Sequence, residues 1–271
     1  MSLHTEWIRY GENEVYSGYV ARSENVERAL PTVIVLQEIW GLDEHIQDVT
    51  RRYAQAGYVA FAPDLYAKNG ERETAYKGER IEAVKSFLNS VPPAVWHDQE
   101  KLQKELAKLP KEKGKQIQET FSALFGGLDL SNYQEQLLAT SAFLRNEYEP
   151  SLGKAVGSVG FCMGGGLSAL LAGTDEKLVG AIIFYGQPPE DEVVQSINCP
   201  VLGFYGELDE RITSKVPELA EKMKRHGKSF EYHVYDGAQH AFFNDTRASY
   251  NVDAVRDSFA RALGFFKEQL V

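Results

Sequence analysis

The sequence has only two cysteines, Cys162 and Cys199, among 271 residues, too few for a disulfide framework. Histidine is scarce as well, and no two of the six have helical metal-ligand spacing, so a zinc hydrolase is disfavoured and no metal is expected. No apolar stretch approaches the length of a membrane span. Met1 to Tyr10 lack a basic-then-apolar signal pattern, so a cytoplasmic protein with reduced thiols is expected, export by another route being the alternative. Positive charge is in deficit: 29 basic against 39 acidic residues give a net charge of −10. That balance argues against nucleic acid or an anionic membrane as the main partner. It leaves room for an anionic small substrate, because two arginines can dominate one pocket. There is no P-loop and no dinucleotide-binding glycine pattern in the first βα turn, so no cofactor is expected. Repeats and low-complexity tracts are absent too.

What is present is an alternation of strand-like and helix-like segments. Val15 to Val20 alternates weakly and reads as an early edge strand. Thr32 to Leu36 is a β-branched and leucine run, the pattern of a central strand buried on both faces. Helical spacing follows over His45 to Gln55, closed by Gly57, and then a strand over Tyr58 to Ala62. Glu73 to Leu88 and Tyr133 to Glu147 read as helices. Further strands are predicted at Ala155 to Phe161, Ala181 to Tyr185, Val201 to Tyr205 and Tyr232 to Tyr235. Helices are predicted over Val216 to Arg225 and Asp253 to Gln269. One 271-residue α/β domain with a mostly parallel sheet covered on both faces accommodates this order. Residues 90–130 break the rhythm, with a charged helical stretch from Asp98 to Lys108 and no convincing strand. They read as a mostly helical insertion, either a solvated excursion or a cover over a sheet edge or the pocket mouth.

Gly160-Phe161-Cys162-Met163-Gly164 stands between an apolar strand and a run of small and apolar residues, Gly164 to Ala172. Glycines flank the central residue where strand and helix approach too closely for a Cβ. The tip residue of such an elbow is held above a helix N-terminus, which favours a thiolate. A second strand ends in Gly206-Glu207-Leu208-Asp209, and a third in Asp236-Gly237-Ala238-Gln239-His240. Nucleophile, acid and histidine, each past a strand's C-terminal end and in that order, is the α/β-hydrolase arrangement. Cys162 is then the nucleophile, His240 its base and Asp209 the group that orients the imidazole. Glu207 competes as the acid; Asp209 is preferred because it lies further around the turn that Gly206 starts. Backbone N–H groups of Met163 and, near the exit of the Thr32–Leu36 strand, Ile39 would receive an oxyanion. Acyl transfer to water through a thioester follows. Cys199, before Pro200 at a strand start, reads as structural. His4, His45, His97, His226 and His233 read as surface, helix or edge residues. Glu38 is a charged residue at the exit of a buried strand: either a loop carboxylate facing water or one aimed at the elbow, where it would oppose thiolate formation.

The chain resembles the dienelactone hydrolase family of α/β-hydrolases. The likeness rests on Gln37-Glu38-Ile39-Trp40-Gly41, Pro63-Asp64-Leu65-Tyr66, Arg72-Glu73-Thr74-Ala75-Tyr76-Lys77, the elbow through Gly165, and Gly237-Ala238-Gln239-His240-Ala241-Phe242. It covers most of the chain outside the insertion. It implies a triad of Cys162, His240 and Asp209, with Glu38 interacting with the thiol in the resting enzyme. It further implies that Arg72 binds a substrate carboxylate, with Tyr76 and Trp40 in the pocket, and that the chain is a monomer acting on a small lactone or ester. One departure stands out. Family members that act on dienelactone carry a second anion-binding arginine four residues after the histidine, where this chain has Asn244; Arg247 follows shortly after. Two readings compete with a dienelactone hydrolase-like activity: a general carboxylesterase or thioesterase, and a non-catalytic thiol redox sensor on the same fold.

Overall fold

The computed structural model describes residues 2–92, 95–96 and 98–270; His97 lies outside them. Two compact units result, one formed by the chain up to Leu65 and from Leu130 onward, the other by Tyr66–Asp129. The first unit begins with β1 (Leu3–Tyr10), β2 (Tyr16–Ser23), β3 (Thr32–Leu36), α1 (Glu44–Gln55) and β4 (Val59–Pro63). The second contributes β5 (Ala67–Lys68), β6 (Glu71–Arg72), α2 (Gly78–Asn89), α3 (Gln99–Leu106) and α4 (Lys111–Phe125). The first resumes with α5 (Gln134–Asn146), β7 (Val156–Phe161), α6 (Met163–Thr174), β8 (Ala181–Phe184) and α7 (Asp191–Ser196). It ends with β9 (Val201–Gly206), α8 (Glu210–Thr213), α9 (Val216–Arg225), β10 (Phe230–Tyr235) and α10 (Val252–Leu270).

The eight strands of the first unit form one sheet in the order β1-β2-β4-β3-β7-β8-β9-β10. From β4 to β10 neighbours run parallel, while β1 and β2 add an antiparallel edge. β3, β7 and β9 are buried along their whole length, as their continuous apolar runs require. Beneath the C-terminal ends of β7, β8 and β9 lies an aromatic stack. The Phe161 and Phe204 rings each sit 4.7 Å from Phe184, and Phe243 sits 4.9 Å from it. α1 is capped by Asp43, whose carboxylate accepts from the Ile46 N–H at 3.2 Å.

Two expectations from sequence need correction. The strand read at Val15–Val20 is not an edge: β1 pairs with it along its whole length. Leu-His-Thr-Glu-Trp-Ile-Arg-Tyr hides this strand because polar and charged residues alternate along an edge with one wet face. The helix read over Glu73–Leu88 is broken: a 3-10 turn at Thr74–Tyr76 ends in an extended Lys77, and α2 starts at Gly78. The second unit takes in the β5–β6 hairpin and α2 together with α3 and α4. Inside that unit α4 packs on α2 and α3, and Leu102, Leu106, Ile117 and Leu124 are buried. Arg80 on α2 holds Glu119 on α4 at 2.9 Å.

Candidate active site

Cys162 caps α6 with φ 55° and ψ −115°, a strained geometry that only a rigid frame holds in place. Its N–H donates to the Phe184 carbonyl at 3.0 Å, and its own carbonyl accepts from the Gly165 N–H at 3.0 Å. The glycines around it are sterically required. A Cβ on Gly160 would stand 1.7 Å from the Gly164 oxygen, and one on Gly164 would stand 2.2 Å from the Leu36 oxygen. The Cys162 thiol is partly exposed, whereas Cys199 is buried and burial pushes its thiol up to about 12. Such a thiol stays protonated and inert at neutral pH.

The loops after β9 and β10 are knitted together by backbone. Glu207 N–H donates to Tyr235 O at 3.0 Å and Leu208 N–H to Ala238 O at 2.9 Å. Gly206 permits this approach, since its Cβ would lie 2.5 Å from Ala238 O. The result is a contact of 2.5 Å between His240 Nδ1 and Asp209 Oδ2, with Asp209 nearly buried. Glu207 is elsewhere: its Oε2 accepts from the Gly237 N–H at 2.8 Å and steadies the turn. The acid beside His240 is therefore Asp209. Burial pulls the imidazole down, but the charge of Cys162 and hydrogen bonds to Asp209 and Cys162 outweigh this and push it up to about 10.

Glu38 does not face water. It is 2 % exposed, and both of its oxygens are held. Tyr185 Oη donates to Oε1 at 3.2 Å and Asn244 Nδ2 to Oε2 at 2.8 Å. Tyr185 also lies 5.1 Å from the His240 ring, centroid to centroid, so it joins the glutamate to the histidine. Its φ of 41° turns it off the end of β8. Its hydroxyl is raised well above the ordinary value, first by burial and then by the charges of Glu38 and Cys162. Sequence reasoning missed Tyr185, although a hydroxyl-bearing residue ending an otherwise apolar strand was a usable signal. Asn244 Oδ1 in turn accepts from Thr246 N–H at 3.0 Å and Thr246 Oγ1 at 2.7 Å.

Residues 16–270 match the dienelactone hydrolase family. The chain belongs to that family. The hydrolase is 38% identical over 251 residues to a "Putative carboxymethylenebutenolidase" of Saccharolobus solfataricus, 92% of each chain being covered. Among solved structures it resembles a "Putative Dienelactone Hydrolase" from Klebsiella pneumoniae, with 27% identity, a TM-score of 0.66, and 98% and 99% of the two chains covered. A dienelactone hydrolase from Anabaena variabilis, 15% identical with a TM-score of 0.63 over 99% of each chain, shares the fold. The fold is thus that of an α/β-hydrolase, and the chain is a hydrolase acting on ester bonds.

In the hydrolase, Ile39 and Trp40 follow Glu38 and are largely buried, and Met163 is the first residue of α6. The Arg247 guanidinium lies 4.7 Å from the centre of the Trp40 ring. Its Nη2 is buried without a hydrogen-bond acceptor among the described residues. Arg72 and Tyr76 belong to the second unit. Arg72 lies on β6, and Tyr76 donates its hydroxyl to Ala123 O at 3.1 Å and stacks on Tyr66 at 4.5 Å. Among the described residues no group of three or more His, Cys, Asp or Glu could hold a metal ion, and no helix is long and apolar enough to cross a membrane.

Proposed function

We propose that the hydrolase cleaves small lactones or esters through a Cys162–His240–Asp209 triad and a thioester intermediate. The observation that carries this reading is the 2.5 Å His240–Asp209 contact beside a thiol whose charge raises the imidazole. The Cys162 thiolate attacks the carbonyl carbon, and the electron pair displaced onto oxygen is received by the N–H groups of Met163 and Ile39. As the tetrahedral centre collapses, the C–O bond breaks and His240 gives its proton to the leaving alkoxide. Water then attacks the thioester while His240 takes its proton, and the Cys162 thiolate departs. Glu38 is the carboxylate that tunes the thiol, held in place by Tyr185 and Asn244.

For an acidic substrate group the family resemblance puts forward Arg72, and it puts forward Tyr76 and Trp40 as further substrate-binding residues. Asn244 is engaged with Glu38 and Thr246, and a further candidate cation is Arg247, whose Nη2 lacks an acceptor among the described residues. A charge-assisted hydrogen bond to a carboxylate contributes about 1.5–3 kcal/mol. Arg72→Ala and Arg247→Ala are each expected to raise KM about tenfold or more for a lactone carrying a carboxylate, and to leave a neutral ester unaffected. An unchanged kcat/KM for the acidic lactone removes the role of the residue replaced. Two free cysteines fit a reducing cytoplasm, and the reaction needs one chain only.

The pH dependence follows from His240. Its value in the folded protein, about 10, lies above the ordinary 6.5. The protonated ring is needed to protonate the leaving group, so kcat/KM is expected to fall only as pH rises towards 10. The same shift stabilises the fold fully below pH 6.5, and that contribution is lost as pH rises through 10. Asp209→Asn removes a bond that raises the imidazole. It should move the alkaline limb to lower pH and cut kcat by about 100-fold or more, whereas Glu207→Gln should do neither. The direct test is alkylation. Iodoacetamide should label Cys162 before Cys199, abolish turnover, and be slowed by substrate; labelling of Cys162 that leaves turnover intact contradicts the reading.

A further inference from the structure

The first unit holds a cavity at the end of the sheet away from Cys162, and we infer that it binds a small amphipathic carboxylate, with an apolar tail and one anionic head. Its volume is about 550 Å³, within the size of small-molecule sites. The floor is apolar: Leu30, Pro31, Tyr58, Leu263 and Leu270 line it, and Leu30, Tyr58 and Leu270 are buried. Three cations, Arg28, Lys154 and Lys267, line it as well, and among the described residues no carboxylate does.

The place of the cavity in the fold separates it from the catalytic residues. Pro31 directly precedes β3, Tyr58 directly precedes β4, and Lys154 comes just before β7. The cavity therefore opens at the N-terminal pole of the sheet, while Cys162 follows the C-terminal end of β7. The six residues of β7 separate the two poles by about 20 Å. Its walls are fixed by backbone bonds: Thr32 N–H donates to Ala155 O at 2.9 Å, Val59 N–H to Pro31 O at 3.0 Å, and Leu30 N–H to Pro150 O at 2.9 Å.

Charge decides the ligand. The chain carries a net −10, yet its three rim cations form no ion pair among the described residues. Two helix ends, those of α1 and α10, also reach the cavity through Ala56 and Leu270. Each helix C-terminus carries about half a negative charge, so together they offset about one of three positive charges. The excess selects an anion. A small inorganic anion would leave the apolar floor wet, whereas a carboxylate with a hydrocarbon tail covers the floor and meets the rim.

Calorimetric titration of the full chain with decanoate tests it. One saturable site is expected, weakened by added salt because the rim charges are exposed. Decanol, which lacks the charge, and inorganic phosphate, which lacks the tail, should each bind at least tenfold more weakly. The combined variant Arg28→Gln, Lys154→Gln, Lys267→Gln should lose at least tenfold in decanoate affinity while its ester turnover stays unchanged. Leu263→Asp, which places a carboxylate on the floor, should abolish binding. Absence of saturation, equal binding of decanol, or undiminished affinity in the triple variant overturns the inference.

Discussion

Cys162→Ala is expected to lower kcat by about 10⁴-fold or more while leaving the thermal melt nearly unchanged. The two halves of that result have separate causes. Alanine keeps the Cβ and the backbone hydrogen bonds to Phe184 and Gly165, so the strained cap at φ 55° is supported as before. What disappears is the sulfur, and with it both the bond-forming electron pair and the charge that raises His240. The imidazole of the variant should therefore titrate at lower pH, which NMR of the ring protons would report. Residual activity would come from the Met163 and Ile39 N–H groups and substrate binding alone. Cys199→Ala is the control: its thiol is buried and pushed up to about 12, so turnover should not change.

The second large effect is on stability. Gly160→Ala should cost about 4 kcal/mol or more, measured by urea denaturation or seen as loss of soluble protein. The new Cβ would lie 1.7 Å from the Gly164 oxygen and 2.2 Å from its carbon. Both are backbone atoms, so no side-chain rotation relieves the clash, and β7 and α6 must separate. The contrast within the same chain is Gly264 in α10, where a Cβ meets nothing within 4 Å. There the helix gains propensity and the unfolded chain loses freedom, so Gly264→Ala should stabilise by up to about 1 kcal/mol. Opposite signs for two glycine-to-alanine changes would show that the elbow is fixed by close approach rather than by glycine content.

The buried strands were legible because their signal is continuous. Thr32–Leu36 and Val201–Gly206 have apolar residues on both faces, and only a central strand needs that. The catalytic candidates were legible because turn chemistry marks them: Gly160 and Gly164 at the elbow, Gly206 before the acid, Gly237 before the histidine. What sequence hid is long-range or weakly periodic. β1 is an edge strand with one polar face, so nothing in Leu3–Tyr10 rises above a loop. The 3-10 turn at Thr74–Tyr76 shares its residue types with a helix start. The fate of Glu38 could not be read at all, because its two partners, Tyr185 and Asn244, lie 147 and 206 residues away along the chain. Of the two carboxylates in the turn after β9, Asp209 meets His240 Nδ1, while Glu207, nearer the strand, holds the Gly237 N–H.

A covalent reaction at one sulfur lies at the centre of this reading, and intact-protein mass spectrometry examines it directly. Acid quenching within the first turnovers of a chromogenic ester should trap a mass increase equal to the acyl group. Peptide mapping should place it on Cys162, and hydroxylamine should remove it as expected for a thioester. Turnover with no acyl adduct on Cys162, or a thiol that is modified only by peroxide, would contradict it and favour a different nucleophile or a redox role.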